Sequence, residues 1–112
     1  MSFKPDFRIG DVLFDDARSV GMTEDLTSDT QVISEDSLIA IQAIFSGTPV
    51  GILKLQNSLD NEHWCDAPST ETEVSGPSSV IWDISHTAIP FWQIVYTYTS
   101  STGILNVKIL VK

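Results

Sequence analysis

From residue 37 onward, apolar side chains recur at every second position. They are drawn from Ile, Val, Leu, Phe, Tyr and Trp, the types that suit a pleated surface, and helical spacing is absent. Residues 38–45 put Ile39, Ile41, Ala43 and Phe45 on one face, with Ala40, Gln42 and Ile44 on the other. Ser46-Gly47-Thr48-Pro49 supplies turn chemistry, and 51–56 resumes with Leu53 and Leu55 opposed to Lys54 and Gln56, so these two runs predict a hairpin. A polar stretch leads to a short strand at 64–67, a loop about Pro68-Ser69-Thr70 and another short strand at 71–74. After the turn Ser75-Gly76-Pro77-Ser78, the chain alternates Val80, Trp82 and Ile84 against Ile81, Asp83 and Ser85. The 91–99 run places Trp92, Ile94, Tyr96 and Tyr98 on one side of the pleat. Ser100-Ser101-Thr102-Gly103 joins it to 104–111, where Leu105, Val107, Ile109 and Val111 face one way, and this pair predicts a second hairpin.

The first 36 residues are less regular. Residues 11–15 and 31–34 predict short strands, while 19–29 carries Gly21 and many polar side chains and reads as an extended loop or an edge segment. Seven or eight strands at this turn spacing predict an all-β fold, an antiparallel, jelly-roll-like β-sandwich. The length of 112 residues suits one domain over 1–112, with 1–36 as an acidic N-terminal segment and 37–112 as the regular core.

Charge narrows the partners. Six Lys and Arg against fifteen Asp and Glu give a net charge of −9, which argues against a nucleic-acid partner and against anionic membrane surfaces, since both rest on basic side chains. Much of the acid lies before Ser37, at positions such as Asp11, Asp15, Asp16, Glu24, Asp25 and Asp29, and reads as a solvated face that keeps the chain soluble. No segment approaches the run of ~20 apolar residues that spans a bilayer, and the Met1-Ser2-Phe3-Lys4-Pro5-Asp6 start lacks a secretory pattern, so synthesis in a cytoplasm is expected.

Candidate chemistry is sparse. The single cysteine, Cys65, cannot form an intramolecular disulfide. With His63 or His86 and Asp83 it would compose a nucleophilic set, yet no local signature surrounds it, and a cysteine beside Trp64 in a strand reads as a small hydrophobe. Asp60, Asn61, Glu62 and Asp66 crowd one loop with oxygen ligands of the kind calcium takes, but the twelve-residue ligand loop with its glycine is missing; a polar turn is the plainer reading. Two histidines are too few for a zinc site. No phosphate loop or nucleophile elbow is present, so no enzyme, metal or cofactor is expected. Three Trp, two Tyr and five Phe remain, and alternation assigns most of them to the core. Phe91 and Trp92 are neighbours and point to opposite faces, so one of them is free to meet another molecule. Trp64, Phe91 and Trp92 are therefore the candidate interaction residues.

Gln42-Ala43-Ile44-Phe45-Ser46-Gly47-Thr48, then Gly51-Ile52-Leu53-Lys54-Leu55-Gln56-Asn57-Ser58-Leu59-Asp60 and Trp64, form a string that resembles small virion proteins of tailed bacteriophages and prophages. Gly76-Pro77-Ser78-Ser79-Val80-Ile81-Trp82-Asp83, Trp92-Gln93-Ile94-Val95-Tyr96-Thr97-Tyr98-Thr99 and Gly103-Ile104-Leu105-Asn106-Val107 extend the likeness over 37–112. Where those proteins often carry Arg, this chain has Gln93. The resemblance implies a non-enzymatic structural or accessory component of the virion, on head or tail. Such a protein works through self-assembly as a homo-oligomer such as a trimer, and through contacts with other virion proteins. Repulsion between the acidic segments directs any interface toward the less charged faces around the C-terminal strands. The alternative from the residues themselves is a carbohydrate-binding module, a sandwich whose exposed Trp and nearby Asn and Asp side chains stack on and hydrogen-bond a host glycan.

Overall fold

The computed structural model describes residues 8–33, 38–85 and 87–112, and its regular elements are all β-strands. They are β1 (Arg8–Asp11), β2 (Ser19–Gly21), β3 (Leu26–Thr27), β4 (Gln31–Val32), β5 (Ile39–Gly47), β6 (Val50–Ser58), β7 (Cys65–Asp66), β8 (Thr72–Ser75), β9 (Ser78–Asp83), β10 (Phe91–Ser100) and β11 (Gly103–Val111). Sheet I runs β1-β11-β5-β9, with β2 also on β11. Sheet II runs β3-β10-β6-β7, with β4 also on β10 and β8 also on β6. All pairings are antiparallel. Three of the four sheet edges are thus filled by two short strands in succession, and the eleven pieces occupy eight positions, four per sheet. In chain order these positions visit sheets I, II, I, II, II, I, II and I, which is the strand order of a jelly roll. The expected antiparallel sandwich of seven or eight strands is the fold observed.

Neither predicted hairpin exists. β5 lies in sheet I and β6 in sheet II, and β10 and β11 are divided in the same way. The long ladders join β5 to β11 (Ile41 opposite Ile109) and β6 to β10 (Leu53 opposite Tyr96). The reason is that two-residue alternation fixes which face of a strand is buried and leaves its partner open. The inner positions of β5 and β6 point to the core whether the strands are neighbours in one sheet or sit across it. The choice is made at the turns. Gly47 has φ +87, a left-handed conformation that glycine adopts freely, and it swings the chain across the sandwich onto Pro49, which is fully buried. The β10–β11 crossover stacks on this one: Thr48 N–H donates to Thr102 O at 2.9 Å, and the Thr48 and Ser101 hydroxyls lie 2.8 Å apart. The β8–β9 crossover joins them through Gly76 N–H and Pro49 O at 3.0 Å. Three sheet-to-sheet crossovers therefore close the same end of the molecule.

Between the sheets, inward positions of all the long strands form one core. Leu53, Leu55, Tyr96, Leu105 and Val107 are fully buried, and burying a Leu or Val side chain stabilises by roughly 1.5–3 kcal/mol. Trp82 is buried as predicted, with its Nε1–H donating to Thr70 O at 3.1 Å. Gly51 is set by packing: an added Cβ would lie 2.3 Å from Thr97 O and 2.7 Å from the Tyr96 hydroxyl.

The acidic first third supplies edges to both sheets. β1 and β2 line β11, and β3 and β4 line β10. The strand predicted at 11–15 is corrected: β1 ends at Asp11, and Asp15 and Asp16, with φ 52 and 68, form a tight turn closed by the reciprocal Phe14–Ala17 bonds at 3.0 Å. Two positive φ values in succession suit short polar residues such as Asp. The strand predicted at 31–34 is shorter, Gln31–Val32, and Ser34 lies outside the described residues. Segment 19–29 is stitched to β10 by side chains as well as by β3, since Ser28 Oγ accepts Ile94 N–H at 2.8 Å and Asp25 Oδ1 accepts Tyr98 N–H at 2.8 Å.

Candidate functional site

The loop that joins β6 to β7 gathers much of the polar chemistry. Asp60 organises it: Oδ1 accepts from Ser58 Oγ (2.9 Å) and from the backbone N–H groups of Glu62 (2.9 Å) and His63 (2.8 Å), while Oδ2 meets His63 Nδ1 at 2.7 Å. These bonds, led by the two backbone donors, hold the Asp60 carboxyl far below the usual carboxylate range. Asp60, Glu62 and His63 come together at the surface. Asp66, the fourth member of the suggested calcium set, does not join them. It lies on β7 and accepts from Lys54 Nζ at 3.0 Å and Gln56 Nε2 at 2.9 Å. Asn61 Oδ1 accepts from Thr30 Oγ1 at 3.4 Å. The loop is a self-satisfied turn whose central carboxylate already has its donors.

Cys65 is exposed on β7 in sheet II, and Asp83 ends β9 in sheet I, where its Oδ1 accepts from Ser85 Oγ at 2.7 Å. His86 lies outside the described residues. His63, the remaining candidate for a nucleophilic set, is bound to Asp60.

The three aromatic candidates separate. Trp92 is a core residue: it is 5% exposed and its Nε1–H donates to Ile89 O at 2.8 Å, so its face is not available for stacking. The cause is the strand register, which turns even positions of β10 inward and leaves Phe91 on the outer face beside Val32, itself 74% exposed. Phe91 and Trp64 are both half-buried.

Two outward sheet faces remain, and they differ in chemistry. On sheet II, Gln93 Nε2 donates to Gln56 Oε1 (2.9 Å), and Gln56 donates onward to Asp66, which also binds Lys54. This polar row crosses β10, β6 and β7. The Gln56 amide and Lys54 hold the Asp66 carboxyl below its ordinary range.

On sheet I, the register aligns Ile9, Leu110, Ala40 and Asp83 across β1, β11, β5 and β9. Asp11, Lys108, Gln42 and Ile81 form the next row, and Asn106, Ile44 and Ser79 the one after. Ile9 is 70% exposed, Ile81 62%, Ile104 47% and Ile44 40%. Acid on this face is largely neutralised. Lys108 Nζ bonds Asp11 Oδ1 at 2.6 Å and Arg18 Nε lies 3.6 Å from Oδ2; together, with Lys108 first, they lower the Asp11 pKa. Sequence reasoning did not single out Ile9, Ile44, Ile81 and Ile104 as interaction residues. The signal was present as isoleucine at positions whose alternation parity points away from the core.

No family model matches the sequence, and no curated protein does so. Solved structures share its fold. The SPBc2 prophage-derived protein YomS superposes with a TM-score of 0.63 at 11% identity, covering 100% of this chain and 98% of that one. A CBM4 carbohydrate-binding module superposes with a TM-score of 0.51 at 10% identity, covering 80% of this chain and 77% of that one. The described residues, those of the N-terminal third included, therefore share a fold with the prophage protein.

Proposed function

We propose that this chain is a non-enzymatic structural or accessory protein of a phage virion, acting through self-association and contacts with other virion proteins. The observation that carries the reading is the outward face of sheet I. A chain of net charge −9 repels its own copies and other acidic proteins over most of its surface, whereas this face carries four exposed isoleucines and a paired Asp11–Lys108. Exposed apolar side chains gathered on one sheet face among polar ones suit a protein contact surface. The face centres on β5 and β11, and β11 is one of the C-terminal strands around which the sequence reading expects an interface. The fold shared with a prophage protein supports the same reading. Mass spectrometry of gradient-purified particles tests it: the chain is expected at stoichiometric amounts in intact virions, and its absence from particles while present in the lysate refutes the proposal.

A second reading, a glycan-binding role in host recognition, is favoured by the amide and charged row on sheet II, where Gln56, Gln93, Asp66 and Lys54 present donors and acceptors beside Phe91. Its fold is also that of a carbohydrate-binding module. A glycan array with the intact protein and a Gln56→Ala variant decides it. Binding lost in the variant supports this role, and no binding by the intact protein removes it.

A further inference from the structure

We infer that the chain forms a two-fold dimer by pairing the free edge of β9 with the β9 of a second copy, an inference that rests on the self-association proposed above. The first observation is how differently the four edges are built. An exposed strand edge offers unpaired N–H and C=O groups to any other strand, and proteins guard against this with short or broken edge strands, charges, bulges or proline. Here the edges formed by β1 and β2, by β3 and β4, and by β7 and β8 are each split into two short strands of two to four residues. β9 alone fills its edge with one continuous strand of six residues. Its stretch from Ser78 to Trp82 contains no charge and no proline, and no strand among the described residues pairs with its outer side.

The second observation is where the backbone groups point. Ile84 N–H donates to Ile39 O at 3.0 Å, which fixes the parity of the β5–β9 ladder. In an antiparallel strand the N–H and C=O of one residue point the same way and alternate along the chain. Val80 and Trp82 therefore bond to β5, and Ser79 and Ile81 direct both groups off the edge of the sheet. A second β9, antiparallel about a two-fold axis at Val80, sets Ser79 against Ile81 of the second copy and makes four N–H···O=C bonds.

The third observation explains why the occupant is a second copy. Closed two-fold interfaces need a self-complementary patch. On the outer face, Ser79 stands beside Ile44 in the β5–β9 register, and its small side chain leaves Ile44 40% exposed. In the dimer the row becomes Ile44, Ser79, then Ile81 of the second copy, so the 62% exposed Ile81 of each chain moves in over the small residue beside the other's Ile44. Asp83 of each chain falls opposite Pro77 of the other, beyond the four bonds, and no carboxylate faces a carboxylate. Two molecules of charge −9 meet along one of their uncharged stretches. The part of the sheet I face that carries Ile9 and Ile104, away from β9, stays open for other virion components.

Sedimentation equilibrium across micromolar concentrations, combined with amide hydrogen exchange, tests this on the intact protein. The wild type is expected to reach twice the chain mass at the higher concentrations, with the Ser79 and Ile81 amides protected there and exchanging freely on dilution. Ser79→Pro removes one outward N–H without touching a bond to β5, a placement that an edge strand tolerates. It is expected to give a monomer with an unchanged circular-dichroism spectrum. Ile104→Lys, at the far side of the same face, is expected to remain a dimer. Oligomers that persist in folded Ser79→Pro, that dissociate in Ile104→Lys, or that leave the two amides unprotected overturn the β9 pairing. The exchange data on the wild type settle the matter even where a variant fails to fold. A wild type that stays monomeric throughout overturns the dimer, whereas the virion proposal stands or falls separately on particle composition.

Discussion

Tyr96 offers a quantitative test of how this core is balanced. Its ring is fully buried on β10, and its hydroxyl has no hydrogen-bond partner among the described residues. A buried polar group without a partner costs about 1–3 kcal/mol relative to its hydrated state. Tyr96→Phe removes the oxygen and keeps the ring. The space it leaves is that of one atom, on the order of 10–15 Å³, and at ~24 cal/mol per Å³ the cavity costs only about 0.3 kcal/mol. The desolvation term wins, and the variant is expected to be more stable by about 1 kcal/mol, or ~4 °C in melting temperature for a domain of this size. Urea unfolding followed by tryptophan fluorescence measures it, with the slope m unchanged and the midpoint raised. Alkaline pH gives an independent arm. Burial pushes the Tyr96 phenol above its ordinary 10.0, with the neighbouring Tyr98 adding to the shift. The unfolded chain then gives up its proton first. Stability is accordingly insensitive to this group below pH 10 and falls as pH rises beyond it, by up to ~1.4 kcal/mol per pH unit for one proton. Tyr96→Phe lacks that component. A variant less stable than wild type by about 1 kcal/mol would refute the reasoning, because it would show that the hydroxyl is well bonded.

Gly51→Ala is expected to destabilise by more than ~2 kcal/mol in the same assay. Adding Tyr96→Phe does not rescue it, because the 2.3 Å contact with Thr97 O is made to backbone and persists. Trp92→Ala is expected to cost about 3–5 kcal/mol as a core truncation, so any loss of ligand binding it causes should track unfolding measured by circular dichroism. Asp60→Asn is expected to flatten the acid limb of the stability curve. The native Asp60 carboxyl is held far below its unfolded value of 3.8, so its contribution is present above that value and is lost as pH falls below it; melting curves from pH 7 to about 2 measure the difference. Millimolar calcium is expected to leave the melting temperature unchanged, since the Asp60 oxygens already accept their hydrogen bonds within the loop, and a rise on titration would contradict this.

Read alone, the order of residues settled which side of each long strand is buried. Ile39 to Phe45, Trp92 to Tyr98 and Leu105 to Val111 alternate because a pleat sends successive side chains to opposite faces, and that geometry is local. It also placed Trp82 in the core and located the turns at Gly47, Gly76 and Gly103. Partnership between strands was not legible, because the same alternation serves a hairpin and a crossover between sheets. Only the packing of the three crossover turns on one another, with Pro49 buried among them, decided that β5 pairs β11 and β6 pairs β10. The candidate site divides in the same way. Isoleucines of outward parity stand in the sequence, but their meeting on one nearly neutral face, and the exposure of one unbroken edge at β9, depend on which strands lie side by side. That is set by contacts between residues far apart in the chain, and tertiary structure alone supplies it.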